Sequence, residues 1–441
     1  MDASNIGEPV PGGKPGEYGT APAAIQKTPR YAWVILAITF LASICAPLGQ
    51  FKVTAIAGEI IGTYGLNYAE FGMLMTCFAI IGAILAFPAA FICRRIGLKA
   101  TCVIALGCII AGGLVEMATA AVELLYLGRF MEGVGVGLIG VAAPTIISLW
   151  FPDKTRGLAL GAWCTWVPMA ITIDFNLAPA LAQAFGWQSV FYFVVGITVV
   201  ALILFVAFYR MPLSQSSIPN YGVEGSLRDC FKYLKNKYIW ILGLTFLVFN
   251  FIQGGVVNTY YPTYLGSMGF DMGTAGFMTS VITLIGFVMN PLSGAWSDRL
   301  PINRKYILVA LFAATSIIGF IVGFPPELNL FGTIGIWVFI VLMGFSAAFG
   351  GGGSRPLAPT ILSSSAMAAT LGMAVMQFAQ CFGQMLAPIY GACLDAGLGW
   401  VSTAWVTVIP LSIVALLLSF FIKPGGKKAP GEPPEDEPRQ G

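Results

Sequence analysis

Residues 143–146 read Ala143-Pro144-Thr145-Ile146, and 215 positions later residues 358–361 read Ala358-Pro359-Thr360-Ile361. At the same offset Gly135 and Gly137 meet Gly350 and Gly352, Ser148 meets Ser363, and Gly157 meets Gly372. Gly186-Trp187-Gln188-Ser189 is echoed by Gly399-Trp400-Val401-Ser402 at an offset of 213. Matches in the same order at nearly one offset point to a duplicated unit. The surrounding chain is apolar: of 441 residues, 57% are hydrophobic and only 10% charged. A soluble domain carries about 25% charged residues, so this chain cannot cover a water-facing surface. Lipid is the alternative solvent, and a spanning helix there needs about 20 apolar residues.

Twelve apolar runs meet that need, at about 31–57, 69–92, 100–119, 123–149, 157–181, 188–209, 239–262, 272–295, 305–324, 332–360, 370–393 and 403–422. The expected fold is therefore all-α and integral to a membrane. It has a six-helix bundle over 31–209, a polar central loop over 210–238, and a second six-helix bundle over 239–422. Residues 1–30 and 423–441 read as disordered polar tails, and no cleavable signal is visible in the first of them. Charge fixes the expected orientation. Of 23 Lys and Arg, 20 fall in the tails or in loops following even-numbered runs, and loops after odd-numbered runs carry none. By the positive-inside rule both tails and the central loop are cytoplasmic, in a multi-pass protein of the cell (inner) membrane.

Composition also narrows the chemistry. There is no histidine, and the nine cysteines form no C-x-x-C pair. No metal and no cofactor is therefore expected, and no enzyme nucleophile motif stands out. Parallel repeats of this kind place a substrate site between the halves, near the midplane.

The arrangement resembles the major facilitator superfamily, and so do several motifs. The stretch Ala90-Phe91-Ile92-Cys93-Arg94-Arg95-Ile96-Gly97-Leu98-Lys99 is similar to the superfamily's G-x-x-x-D-R-x-G-[RK]-[RK] loop, with Arg94 where an acid is expected. Gly294-Ala295-Trp296-Ser297-Asp298-Arg299 preserves the equivalent loop of the second half. The resemblance implies that Arg94, Arg95, Gly97, Gly294, Asp298 and Arg299 form a cytoplasmic gate. Arg129, Glu132, Gly133 and Gly135 follow an R-x-x-Q-G-x-G pattern with Glu in place of Gln. Trp150-Phe151-Pro152 with Arg156 looks like a segment of the organic-anion branches, of anion:cation symporter, monocarboxylate and oxalate–formate type.

A charge at the bilayer centre costs about 2.5–3.5 kcal/mol on insertion scales, so each one needs a reason. Five stand out: Lys52, Arg129, Glu132, Asp174 and Arg355, summing to +1. Arg355 aligns through the repeat with Gly140 and follows a Gly350-to-Gly353 run that permits close backbone approach. It reads as a substrate anchor or as one partner of an inter-helix pair. Lys52 reads as a second substrate group or as a side chain snorkelling to the headgroups. Arg129 and Glu132, three apart, share a helix face; they form a local ion pair or, with Asp174, a proton-coupling group. Polar stripes, the second of them running on to Gln384, add Asn250, Gln253, Tyr260, Gln377 and Gln380 to the expected substrate-binding set, helix–helix hydrogen bonding being the alternative for each.

These features point to a secondary transporter of a small, carboxylate-like organic anion working by alternating access, proton-coupled or by exchange. An exporter of hydrophobic or cationic drugs, using Asp174 or Glu132 as the cation's partner, is the alternative. The expected partners are a small-molecule anion and the bilayer, with no nucleic acid, for a monomeric protein.

Overall fold

The computed structural model describes residues 29–118, 121–151, 153–210, 235–300, 306–324, 332–355, 357–361 and 366–422. Among these residues there is helix and no strand. Eleven segments are long and apolar enough to cross a membrane: Arg30–Ala55, Tyr68–Leu85, Leu98–Ala118, Val122–Trp150, Leu158–Phe185, Gln188–Phe208, Lys237–Ser267, Met272–Asn290, Tyr306–Gly323, Ile334–Gly353 and Gly399–Ser419. Between the last two, where the sequence places the eleventh of twelve spans, lie two helices, Ala366–Met385 and Ala387–Asp395, meeting at Leu386. Below, these twelve are numbered in chain order.

Local chemistry sets the helix starts. Asn67 opens the second span with a capping box: its Oδ1 accepts from Glu70 N at 2.8 Å and Glu70 Oε2 accepts from Asn67 N at 2.9 Å. Asp271 opens the eighth, accepting from Thr274 N at 3.0 Å and from Thr274 Oγ1 at 2.6 Å. Those hydrogen bonds from Thr274 hold the exposed Asp271 carboxyl below the usual carboxylate range.

Two helices loosen into π geometry, at Phe251–Val257 in the seventh span and Phe349–Gly353 in the tenth. Such bulges are frequent at functional sites. The second coincides with close helix packing. A Cβ at Gly352 would lie 2.7 Å from Asn290 O, and one at Gly353 would lie 2.7 Å from Leu308 Cβ. Only glycines let the tenth span press against the eighth and ninth.

The first six spans meet the last six chiefly where the second packs on the eleventh and the fifth on the eighth, with a smaller contact between the first and the seventh. We call the end of the molecule where Arg30 opens the first span the near end, and the end where Tyr68 opens the second the far end. Among the described residues, the hydrogen bonds joining the two sets all lie in the far half. The Asp395 carboxylate accepts from Tyr68 N at 3.0 Å and Ala69 N at 2.8 Å, and Tyr260 Oη donates to Tyr68 O at 2.9 Å. Thr76 Oγ1 donates to Met385 O at 2.8 Å, Asn176 Nδ2 to Ser280 Oγ at 2.9 Å, and Gln50 Nε2 to Gln384 Oε1 at 2.9 Å. The molecule is thus tied shut at its far end.

Candidate functional site

Two polar groupings occupy the interior. The first is a fully buried ion cluster in the far half. The third and fourth spans cross so closely that a Cβ at Gly112 would lie 2.6 Å from Gly128 O. That approach brings Glu116 beside Glu132, one turn beyond each glycine. Lys52 of the first span bridges them, its Nζ 2.5 Å from Glu132 Oε1 and 2.6 Å from Glu116 Oε2, with all three side chains wholly buried. Arg129 holds the other Glu132 oxygen at 2.8 Å. Its remaining donors grip backbone: Nη1 to Gly49 O at 2.6 Å, Nη2 to Gln50 O at 2.8 Å and Nε to Leu74 O at 3.3 Å. Phe78 and Phe191 close the cluster, their ring centroids 4.9 Å from the guanidinium and 4.6 Å from the ammonium.

Asp174 of the fifth span lies within electrostatic range of Lys52, Arg129 and Glu132. No cation is within 4.0 Å of it among the described residues, and its Oδ2 has no hydrogen-bond donor. Lys52 and Arg129 face Glu116, Glu132 and Asp174, so the cluster carries one formal negative charge in excess.

This geometry corrects the sequence reading of Lys52. It neither faces an accessible surface nor reaches the headgroups, because Glu116 supplies a partner the five-charge tally omitted. With Glu116 included, three cations face three carboxylates and the expected +1 becomes zero. A signal was present in the sequence: Glu116 is four residues after Gly112, on the close-packed face of its helix, and Glu123 already marks the loop.

The second grouping surrounds Arg355, just past the glycine run and toward the near end. Its Nη2 donates to Gln380 Oε1 of the eleventh span, and its guanidinium lies 5.7 Å from the Phe246 ring of the seventh. Cys164 of the fifth span and Cys381 lie within electrostatic range. Gln377 sits against Gly140 of the fourth span, where a Cβ would lie 3.9 Å from Gln377 Oε1. Arg355, Gln377 and Gln380 are half-buried and Cys164 is exposed. No carboxylate lies within 4.0 Å of Arg355 among the described residues. A partly accessible guanidinium between the two sets of spans can bind an anion.

The other expected residues lie elsewhere. Asn250 Nδ2 donates to Phe246 O at 2.8 Å on its own helix, and Gln253 Nε2 donates to Met343 O of the tenth span at 3.0 Å. Tyr260 belongs to the far-end closure. Of the gate residues, Arg95 is exposed and Gly97 has φ +86°, a left-handed value suited to glycine. The side chains of Arg94, Asp298 and Arg299, and the surroundings of Gly294, lie outside what is described.

Comparison with known proteins places this architecture. The sequence model of the Major Facilitator Superfamily matches residues 39–345. The chain belongs to the Major Facilitator Superfamily. Among curated members of the superfamily, a hexuronate transporter of Bacillus subtilis is 24% identical over 303 residues, covering 65% of this chain and 71% of its own. The 4-hydroxybenzoate transporter PcaK of Acinetobacter baylyi is 25% identical over 448 residues, covering 91% and 94%. The multidrug resistance protein MdtL of Shewanella oneidensis is 27% identical over 265 residues, covering 57% and 63%. Among solved structures, a bacterial homologue of the human lysosomal transporter Spinster, in an inward-facing and unoccupied conformation, superposes with a TM-score of 0.70 at 16% identity. That superposition covers 90% of this chain and 98% of the other. The fold is therefore that of a multi-pass membrane transporter.

Proposed function

We propose that this superfamily member carries a small organic anion bearing a carboxylate, coupled to a proton, by alternating access. The two moving bodies are residues 31–209 and 239–422, and the near end is cytoplasmic. The observation that carries the reading is Arg355: a cation at membrane depth with no ionic partner among the described residues, in reach of water, held by an amide oxygen that a substrate carboxylate can replace. The hexuronate and 4-hydroxybenzoate transporters named above handle anions of this chemistry by name. The excess negative charge of the Lys52–Glu116–Arg129–Glu132–Asp174 cluster supplies the proton site, because a net charge in a dry interior is costly and one proton cancels it.

The drug-export reading has its own support in Asp174, which has no cation within 4.0 Å among the described residues, and in the multidrug relative. Binding separates the two. Glucuronate and 4-hydroxybenzoate should raise the unfolding temperature of the purified protein. A charge-assisted hydrogen bond is worth about 1.5–3 kcal/mol, so Arg355→Gln should weaken that binding by about 10- to 150-fold. Ethidium binding that depends on Asp174 and not on Arg355 would reverse the assignment.

A further inference from the structure

The ion cluster and Arg355 lie in different halves of the membrane depth and on different sets of spans. A hydrogen bond between two buried side chains, Gln50 and Gln384, links their surroundings. Arg129 holds the first span by the carbonyls of Gly49 and Gln50, at 2.6 and 2.8 Å. The side chain of Gln50 then crosses to the other set of spans, donating to Gln384 Oε1 at 2.9 Å. Both glutamines are buried, at 4% and 7% exposure. Gln384 has no slack on its other side, since a Cβ at Gly254 of the seventh span would lie 2.8 Å from its Cγ. One helical turn earlier, on the same face of the eleventh span, Gln380 accepts the hydrogen bond from Arg355.

We propose that Gln50 and Gln384 are positioning residues that couple the charge state of the cluster to the pose of Arg355. This inference rests on the anion-anchor reading above. When the cluster gains or loses its proton, the Arg129 grip on Gly49 and Gln50 is redistributed, and the shift of the first span reaches the eleventh through the paired amides. The eleventh span then carries Gln380 toward or away from Arg355, freeing or covering the guanidinium for substrate. Lys52, Glu116, Arg129, Glu132 and Asp174 are the charged groups of the cluster, with Tyr64 beside Glu116 and Cys77 beside Arg129. Amides suit the link: they neither titrate nor leave a net charge, and each holds the other in one register.

The test uses the full-length protein in proteoliposomes, with 4-hydroxybenzoate and glucuronate as probes. Two assays are run, exchange at equal pH on both sides and accumulation under an imposed pH gradient. Gln50→Leu and Gln384→Leu should each leave exchange and its apparent affinity within about threefold of the parent, because they spare Arg355. Each should cut gradient-driven accumulation by about tenfold or more, a coupling factor within the usual range. The double variant should be no worse than either single one, since both break the same bond. Full accumulation in either single variant overturns the proposal, as does parallel loss of exchange and accumulation, which would mark a merely structural role. Strictly additive losses in the double variant overturn the pairing. Unimpaired exchange in Arg355→Gln overturns the anchor reading instead. A parent that exchanges neither probe overturns both.

Discussion

Replacing Lys52 by methionine removes one ammonium and little volume. Two wholly buried carboxylates lose their shared cation; Glu132 keeps Arg129 at 2.8 Å, whereas Glu116 keeps no cation within 4.0 Å among the described residues. Breaking a buried ion pair from one side costs about 3–5 kcal/mol. The protein has a cheaper escape, which is to bind a proton at Glu116. For a carboxyl with a reference value near 4.3, holding a proton at pH 7 costs about 3.7 kcal/mol, from 1.36 kcal/mol per unit; at pH 5.5 it costs about 1.6. The sign follows directly. The folded variant binds a proton that the unfolded chain releases, so its stability falls as pH rises. Lys52→Met should therefore lose roughly 3–4 kcal/mol at pH 7 and about half that at pH 5.5, by denaturant titration in mixed micelles. Adding Glu116→Gln should recover more than half of the loss at pH 7, because the orphaned charge is gone. A loss below about 0.5 kcal/mol, or one independent of pH, would refute the buried-bridge account.

Other consequences are equally concrete. Gly128→Ala places a methyl group against Glu116 and within 2.6 Å of Gly112 O, so it should cost about 1–3 kcal/mol in the same titration. Asp395→Ala removes the acceptor for Tyr68 N and Ala69 N across the far-end closure. An N-terminal cap is worth about 0.5–2 kcal/mol, so the far-end-open state should gain roughly 2- to 30-fold in population, read as faster thiol labelling of a cysteine placed at Thr76. Labelling of Cys164, which lies exposed near Arg355, should be faster with an anionic than with a cationic methanethiosulfonate, and Arg355→Gln should abolish that preference. Equal rates for the two reagents in the parent would mean that Arg355 does not set the local field.

Much of this architecture is legible in the residues. Apolar runs and the odd/even loop charges place the spans, since neither depends on which helices touch. The glycine run before Arg355 announces a close approach, and the structure supplies its cause in Asn290 O and Leu308. Gln377 and Gln380 share a face with Gln384, and two of the three converge on Arg355 and Gln50. What is not legible is pairing between helices distant in sequence. Lys52 reads as unpaired because both its partners lie on other spans, at positions 116 and 132. Glu116 escapes notice because it falls near a run's edge, where depth is uncertain by a turn. Asn250 and Gln253 fit a polar stripe, yet their hydrogen bonds end on carbonyls of helices; spacing alone does not tell a cavity face from a helix contact.

The most direct measurement is uptake of labelled 4-hydroxybenzoate and glucuronate into proteoliposomes with an alkaline interior, comparing the parent with Arg355→Gln. The account predicts accumulation above equilibrium in the parent for at least one acid, collapse of that accumulation when the pH gradient is dissipated, and its loss in Arg355→Gln despite an intact fold. Accumulation that persists in Arg355→Gln, or a parent that moves ethidium and neither acid, would contradict it.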